Sequence, residues 1–359
     1  MNKPEYLVVS EKRETLTSGM MMERGIFVAE RQPAGAFLNQ SRELSLRPFG
    51  NTAFNPPPIE PGDTVLIVRP GGFGDLLFLT PVIRRLNRMG CKVEVASLPQ
   101  YAVVLEANTD IYGLVPYPVP LDVWHGARVH VWLERILEDG VDSVTETITS
   151  NAIDLIAKAC GIEITDKSMR YDVTPGESKW VKREYPSRGK PRVGIQLHAS
   201  APNRSYPWRH LQILAALLAD EGKEVMLFGS PGSLPECEGP FVNLTANGLT
   251  FRQSCAVLST CDAMVAPDSS LCHVAGALGI PTVALYGPFL SQTRTKYATS
   301  VHAINGKAPC APCNFHDNVG RAWPAGCPGW KTGCCAALEN IPPALVAAQV
   351  SYMIAGNIL

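Results

Sequence analysis

Charge of either sign is scarce in this chain, and what there is nearly cancels. Lysine plus arginine number 32 and aspartate plus glutamate 33 among 359 residues, a formal net charge of −1. Such a balance gives no electrostatic basis for holding nucleic acid non-specifically or for docking on an anionic membrane. Long apolar runs are also missing. None reaches the roughly 18 residues expected of a membrane-spanning helix. The N-terminal MNKPEYLVVSEKRE lacks the extended apolar core of a secretory signal, so the expected compartment is the cytoplasm. The glycine-rich turn at Pro70–Asp75 is not the dinucleotide fingerprint G-x-G-x-x-G, being shorter and ending in an acid.

What the chain does have is apolar mass and cysteine. An apolar fraction of 46% supports substantial cores, and 359 residues suit two domains. Of eleven cysteines, Cys91, Cys160, Cys237, Cys255, Cys261 and Cys272 fall in helical or strand-like segments, where cysteine acts as a small apolar residue. The other five crowd into the stretch from Cys310 to Cys335. Cys310-x₂-Cys313 has zinc-ligand spacing, while the second half is irregular. A zinc site from Cys310, Cys313, Cys327 and Cys334, a group of reduced structural thiols, and disulfides all stay open, a cytosol disfavouring the last.

The pattern organises around Thr64–Leu86. Val65–Val68 read as a buried strand, Pro70–Asp75 as a turn, and Leu76, Leu79, Ile83 and Leu86 recur at helical spacing. Pro81 requires that the regular helix start near Thr80 or kink there. Strands at Lys92–Ala96, Gly113–Tyr117 and Arg128–Leu133 and helices at Gln100–Glu106 and Asn151–Cys160 complete a first α/β domain, residues 62–185. Before it, residues 1–61 form a weakly patterned arm ending in a proline-rich linker, with strand at Tyr6–Ser10 and Gly25–Ala29. Such an arm would lie on the body or contact a partner or a second subunit. The charged stretch Ser178–Arg192 marks a boundary. The alternation then restarts over residues 190–342, with strands at Val193–Leu197, Glu224–Phe228, Ala263–Ala266 and, last, Thr282–Tyr286. A helix from Pro207, with Pro207 in its first turn, and others at Phe251–Cys261 and Leu271–Leu278 separate them. A helix at Pro343–Ile354 lies in the closing segment, 343–359. Strands alternating with helices imply a parallel sheet in each half, the two facing across a cleft.

Four turns carry candidate chemistry. In the first, Gly71, Gly72 and Gly74 would bare backbone N–H groups toward an anion. Asp75 would repel a phosphate, so it is expected to address a hydroxyl as general base; the alternative is a helix N-cap. In VAPDSSLCH, Ser269 and Ser270 can donate to a diphosphate and Asp268 can accept from sugar hydroxyls, against a capping role for Asp268 or Ser269. In the loop opening at His198, Arg204 is the candidate to neutralise leaving-group phosphates, with Arg209 as its rival. Gly229 and Ser230 open the fourth turn, after Glu224–Phe228.

Three of these segments resemble the lipopolysaccharide heptosyltransferases: VLIVRPGGFGDLLFLTPVIRRL, VGIQLHASAPNRSYPWRHLQILAALLADEGKEVMLFGSPG and VAPDSSLCHVAGALGIPTVALYGP. The resemblance covers roughly residues 64–110 and 150–354. It implies a GT-B fold and inverting, metal-independent transfer from a nucleotide sugar, with acceptor on the first domain and donor on the second. Asp75 matches the family's proposed base. Arg204 stands where a lysine is usual, and Asp268, Ser269, Ser270 and His273 match the donor segment, with Ser269–Ser270 replacing Thr-Gly. The donor implied is an ADP-sugar, ADP-heptose being frequent, and the acceptor a glycan, in lipopolysaccharide biosynthesis for the family. The region from Pro120 to Asn151 is shortened and the arm is extra, and both changes fall on the acceptor side. Polypeptide or nucleic-acid-base acceptors stay open, as do a same-fold hydrolase or epimerase and a non-catalytic nucleotide-sugar-binding protein.

Overall fold

The computed structural model describes residues 56–134, 136, 148–234, 238–314, 327, 329 and 331–356, and the backbone of five short strands before them. The chain divides into two compact units, Met1–Ile136 with Ile153–Lys167 and Leu137–Ala152 with Ser168–Leu359.

In the first unit the arm supplies β1 (Tyr6–Ser10), β2 (Glu14–Thr15), β3 (Met21–Met22), β4 (Gly25–Ala29) and β5 (Leu44–Pro48). β1 lies between β4 and β5, antiparallel to both, and β2 pairs with β3. β1 and β4 match the expected strands; β5 is an addition. The body of the unit is a parallel sheet in the order β8-β7-β6-β9, from β6 (Thr64–Val68), β7 (Lys92–Ser97), β8 (Gly113–Pro116) and β9 (Val129–Trp132). Val65 to Val68 are fully buried, as a strand covered on both faces must be. The turn after β6 feeds two helices, Phe73–Leu77 and Thr80–Arg88. Pro81 sits in the first turn of the second, where its missing N–H costs nothing. Leu76, Leu79, Ile83 and Leu86 are all buried, so the helical stripe is real although two helices share it.

The second unit holds β10 (Arg192–Gln196), β11 (Glu224–Phe228), β12 (Val242–Asn243), β13 (Ala263–Pro267), β14 (Thr282–Tyr286) and β15 (Val301–Asn305). They form one parallel sheet in the order β12-β11-β10-β13-β14-β15. Thr282–Tyr286 is therefore not the last strand. β15 follows it as a half-buried edge strand. Gly194 in β10 is hemmed in: a Cβ there would come within 2.7 Å of Met264 Sδ and 2.9 Å of the Phe228 ring. The helix Pro175–Glu184 runs into the charged stretch Ser178–Arg192 that the sequence marks as a boundary. Pro207 is the N-cap of the helix Trp208–Asp220 and not its first-turn residue. Leu211, Leu214, Ala215 and Leu218 of that helix pack with Val346, Ala347, Val350 and Met353 of the helix Pro343–Ile354 in the core over the sheet.

Candidate active site

Parallel sheets gather ligands outside the carboxyl ends of their strands, where the strand order reverses. In the second unit the reversal lies between β10 and β13. A polar network occupies that place. Arg204, at the end of the 3₁₀ turn Pro202–Arg204, donates from Nη1 to Asp268 O at 3.1 Å and approaches Asp268 Oδ2 at 3.3 Å. His273 Nε2 stands 3.5 Å from the other carboxylate oxygen. Burial pushes the Asp268 carboxyl up, but the bond from His273 and the charges of Arg204 and Arg294 outweigh it, and the net effect holds it well below the usual range. Ser269 Oγ donates to Gln196 Oε1, across the reversal.

Ser269 is the N-cap of the helix Ser270–Ala277 by position, yet its side chain makes no capping bond. The capping role weighed for Ser269 and Asp268 is thus not what their side chains do. Among the described residues the helix start has no side-chain cap, which leaves first-turn N–H groups without a side-chain acceptor, the arrangement that suits an anion. Arg209 points elsewhere, pairing with Glu339 at the surface. His198 is exposed, and its carbonyl accepts from Gln196 Nε2 at 3.0 Å. Gly229 is enclosed: a Cβ would meet Ser233 Oγ at 2.5 Å and Thr245 at 3.0 Å. Ser230 beside it is exposed.

Two groups at this edge escaped the sequence reading. Tyr286, closing β14, is 1% exposed, and its hydroxyl has no hydrogen-bond partner among the described residues. Burial and the nearby Asp268 charge push its pKa well up. Arg294, in the helix Gln292–Thr295, adds a second guanidinium charge acting on Asp268. Their only sequence signal is position, at or just past the carboxyl end of a strand.

In the first unit the turn after β6 places Asp75 in the first turn of the helix Phe73–Leu77, while Gly72 is the N-cap, at φ 87°. The N-cap alternative for Asp75 therefore fails. Arg69 Nη2 donates to Asp75 Oδ2 at 2.5 Å and Nη1 to Leu133 O at 2.7 Å. Gly71 packs on Tyr101, where a Cβ would stand 3.4 Å from the ring. Gly74 O accepts from Phe78 N within the helix turn.

The clustered cysteines lie in the second unit. Cys310, Cys313, Cys327 and Cys335 line one cavity of about 140 Å³, with Asn203 in its wall. Cys334 is turned aside, its Sγ 3.5 Å from Cys335 O, and burial with the neighbouring Glu339 raises its thiol to about 12. Cys91, Cys160, Cys255, Cys261 and Cys272 are buried as small core residues. Among the described residues no three cysteine, histidine or acidic side chains converge at metal-binding distance. Cys237 lies outside the described residues.

Residues 125–321 match glycosyltransferase family 9 (heptosyltransferase). The chain belongs to this family. Lipopolysaccharide heptosyltransferase 2 of Escherichia coli K12 is 33% identical over 131 residues, 33% of this chain and 38% of that protein. The match thus spans little more than a third of the relative's length. The solved E. coli ADP-heptose lipopolysaccharide heptosyltransferase II aligns with a TM-score of 0.53 at 17% identity, covering 82% of this chain and 99% of that one. TibC, described as an iron-containing dodecameric glycosyltransferase of enterotoxigenic E. coli, aligns with a TM-score of 0.60 at 14% identity over 100% of this chain and 93% of its own. At such identities these two likenesses speak for the fold, which is that of the GT-B heptosyltransferases. No described helix is long and apolar enough to cross a membrane.

Proposed function

We propose that this family 9 chain moves a heptose-type sugar from an ADP-linked donor to an acceptor hydroxyl, inverting the anomeric carbon. The acceptor oxygen bonds to that carbon as Asp75 takes its proton, the bond from the carbon to the phosphate oxygen breaks, and ADP leaves. The first unit supplies the base and the second holds the donor. Arg204 and the uncapped helix start at Ser270 stabilise the charge gathering on the departing diphosphate, so the step needs no metal at the phosphates. His273 and Asp268 keep Arg204 in place, while His198, Gly229 and Ser230 border the nucleotide side. The donor is named from the description of the solved E. coli relative as an ADP-heptose enzyme.

The observation that carries this reading is the buried Arg204–Asp268–His273 group beside an uncapped helix start at the strand-order reversal. The test incubates the protein with ADP-heptose and an acceptor panel: a truncated lipopolysaccharide core, an unfolded polypeptide and single-stranded DNA. Sugar on one acceptor with matching ADP release supports it. ADP release without any acceptor would make the protein a hydrolase, and failure to bind ADP-heptose would make it neither.

We also read Cys310, Cys313, Cys327 and Cys335 as ligands of a structural metal. Their shared cavity and a thiolate chemistry suited to zinc or iron support this, as does the iron in the description of TibC; since no three of the described ligands converge as they stand, the sulfurs would draw together on binding. Cys335 replaces the Cys334 of the sequence-based set because it faces the cavity. The metal content of purified protein tests it: Cys335→Ser should lose metal and Cys334→Ser keep it. A metal-free wild type would refute it.

A further inference from the structure

At the exit of β6 one guanidinium reaches two acceptors among the described residues. Arg69 carries a planar fork that usually grips a carboxylate with two parallel bonds. Here the fork is split, Nη1 going to the carbonyl of Leu133 at the end of β9 and Nη2 to Oδ2 of Asp75. The pair is part-buried, with side chains 13% and 28% exposed. The same oxygen lies close against Gly72. A Cβ on Gly72 would stand 2.2 Å from Oδ2, so this close approach, like the φ of 87°, demands glycine. Among the described residues nothing donates to Oδ1.

A carboxylate that served only to steady the helix start would need neither contact. The helix already begins at Gly72, and an acid in its first turn gains from the dipole without being pinned. We propose that Arg69 is a positioning residue for Asp75. It anchors Oδ2 to the sheet through Leu133, so that Oδ1 is the atom that takes the acceptor proton. This rests on the reading of Asp75 as general base. On proton transfer the O–H bond forms at Oδ1, while Arg69 stays on Oδ2 and the carboxyl does not turn. Holding a reacting group to a fraction of an ångström is worth up to about 100-fold in rate.

The test is a double-variant cycle read as kcat and as donor Kd, with ADP-heptose and the acceptor that accepts sugar. Arg69→Met should lower kcat about 10- to 100-fold with ADP-heptose affinity unchanged, and Arg69→Lys, which reaches only one of the two acceptors, should fall between. Arg69→Met combined with Asp75→Asn should be no slower than Asp75→Asn alone. If the two losses multiply, Arg69 acts on its own and the inference is wrong although the base assignment survives. If Asp75→Asn turns over normally, the base assignment itself falls. Should Arg69→Met not fold, the cycle runs with Arg69→Lys under the same criteria.

Discussion

Asp268 is 4% exposed and ionised, a combination that survives only because Arg204 and His273 stand on its two oxygens. Removing one partner leaves the other charge buried. Arg204→Met should therefore cost about 3–5 kcal/mol in a urea melt and weaken ADP binding as well, whereas Arg209→Met should leave ADP affinity unchanged. The Asp268 pKa is lowered on folding, so its contribution is fully present above the ordinary aspartate value of 3.8 and is lost as pH falls below it. Asp268→Asn should accordingly trail the wild type in stability at pH 6, and the gap should narrow steadily toward pH 2.5. A gap independent of pH would deny the ionised pair. Asp75, Arg204 and Asp268 could be singled out as candidates from the sequence, since each follows a strand in a turn. Arg69, Tyr286 and Arg294 were not. Each becomes meaningful only through a neighbour distant in the chain, such as Leu133 for Arg69.

At the scale of elements, local signals and long-range pairing part company. The helix Pro175–Glu184 begins with a full capping box: Thr174 Oγ1 accepts from Glu177 N, and Glu177 accepts from Thr174 N at 2.8 Å. Thr174-Pro175-Gly176-Glu177 states this start in four letters. Apolar periodicity does not reveal the helix because only Val181 is buried, leaving a charged stretch without an apolar stripe. Glu177 also grips Arg252 with both oxygens, at 2.6 and 2.7 Å. Thr174→Ala should thus cost about 1 kcal/mol in thermal or urea unfolding, and Glu177→Ala clearly more. Equal losses would show that the Arg252 contact adds nothing. β15 eluded the sequence for a related reason: as an edge strand it is only half buried, so it lacks the apolar run that exposes β6 and β13. β5 pairs with β1 from far along the chain, and no local pattern reports such a partner.

Over the whole molecule, the two α/β units with parallel sheets were legible because buried parallel strands are apolar runs separated by helical stripes. The account assigns the donor to one unit alone. Hydrogen exchange with saturating ADP should show protection at residues 196–206 and 267–274, and none in the sheet of β6 to β9. Protection confined to the first unit would reverse the assignment. The central claim is that Asp75 takes the proton, and the most direct measurement is Asp75→Asn with ADP-heptose. Binding and turnover are to be determined on the same preparation. The account predicts an unchanged dissociation constant with turnover reduced by two to four orders of magnitude, about the range general-base catalysis supplies. Turnover within a few-fold of the wild type would contradict it.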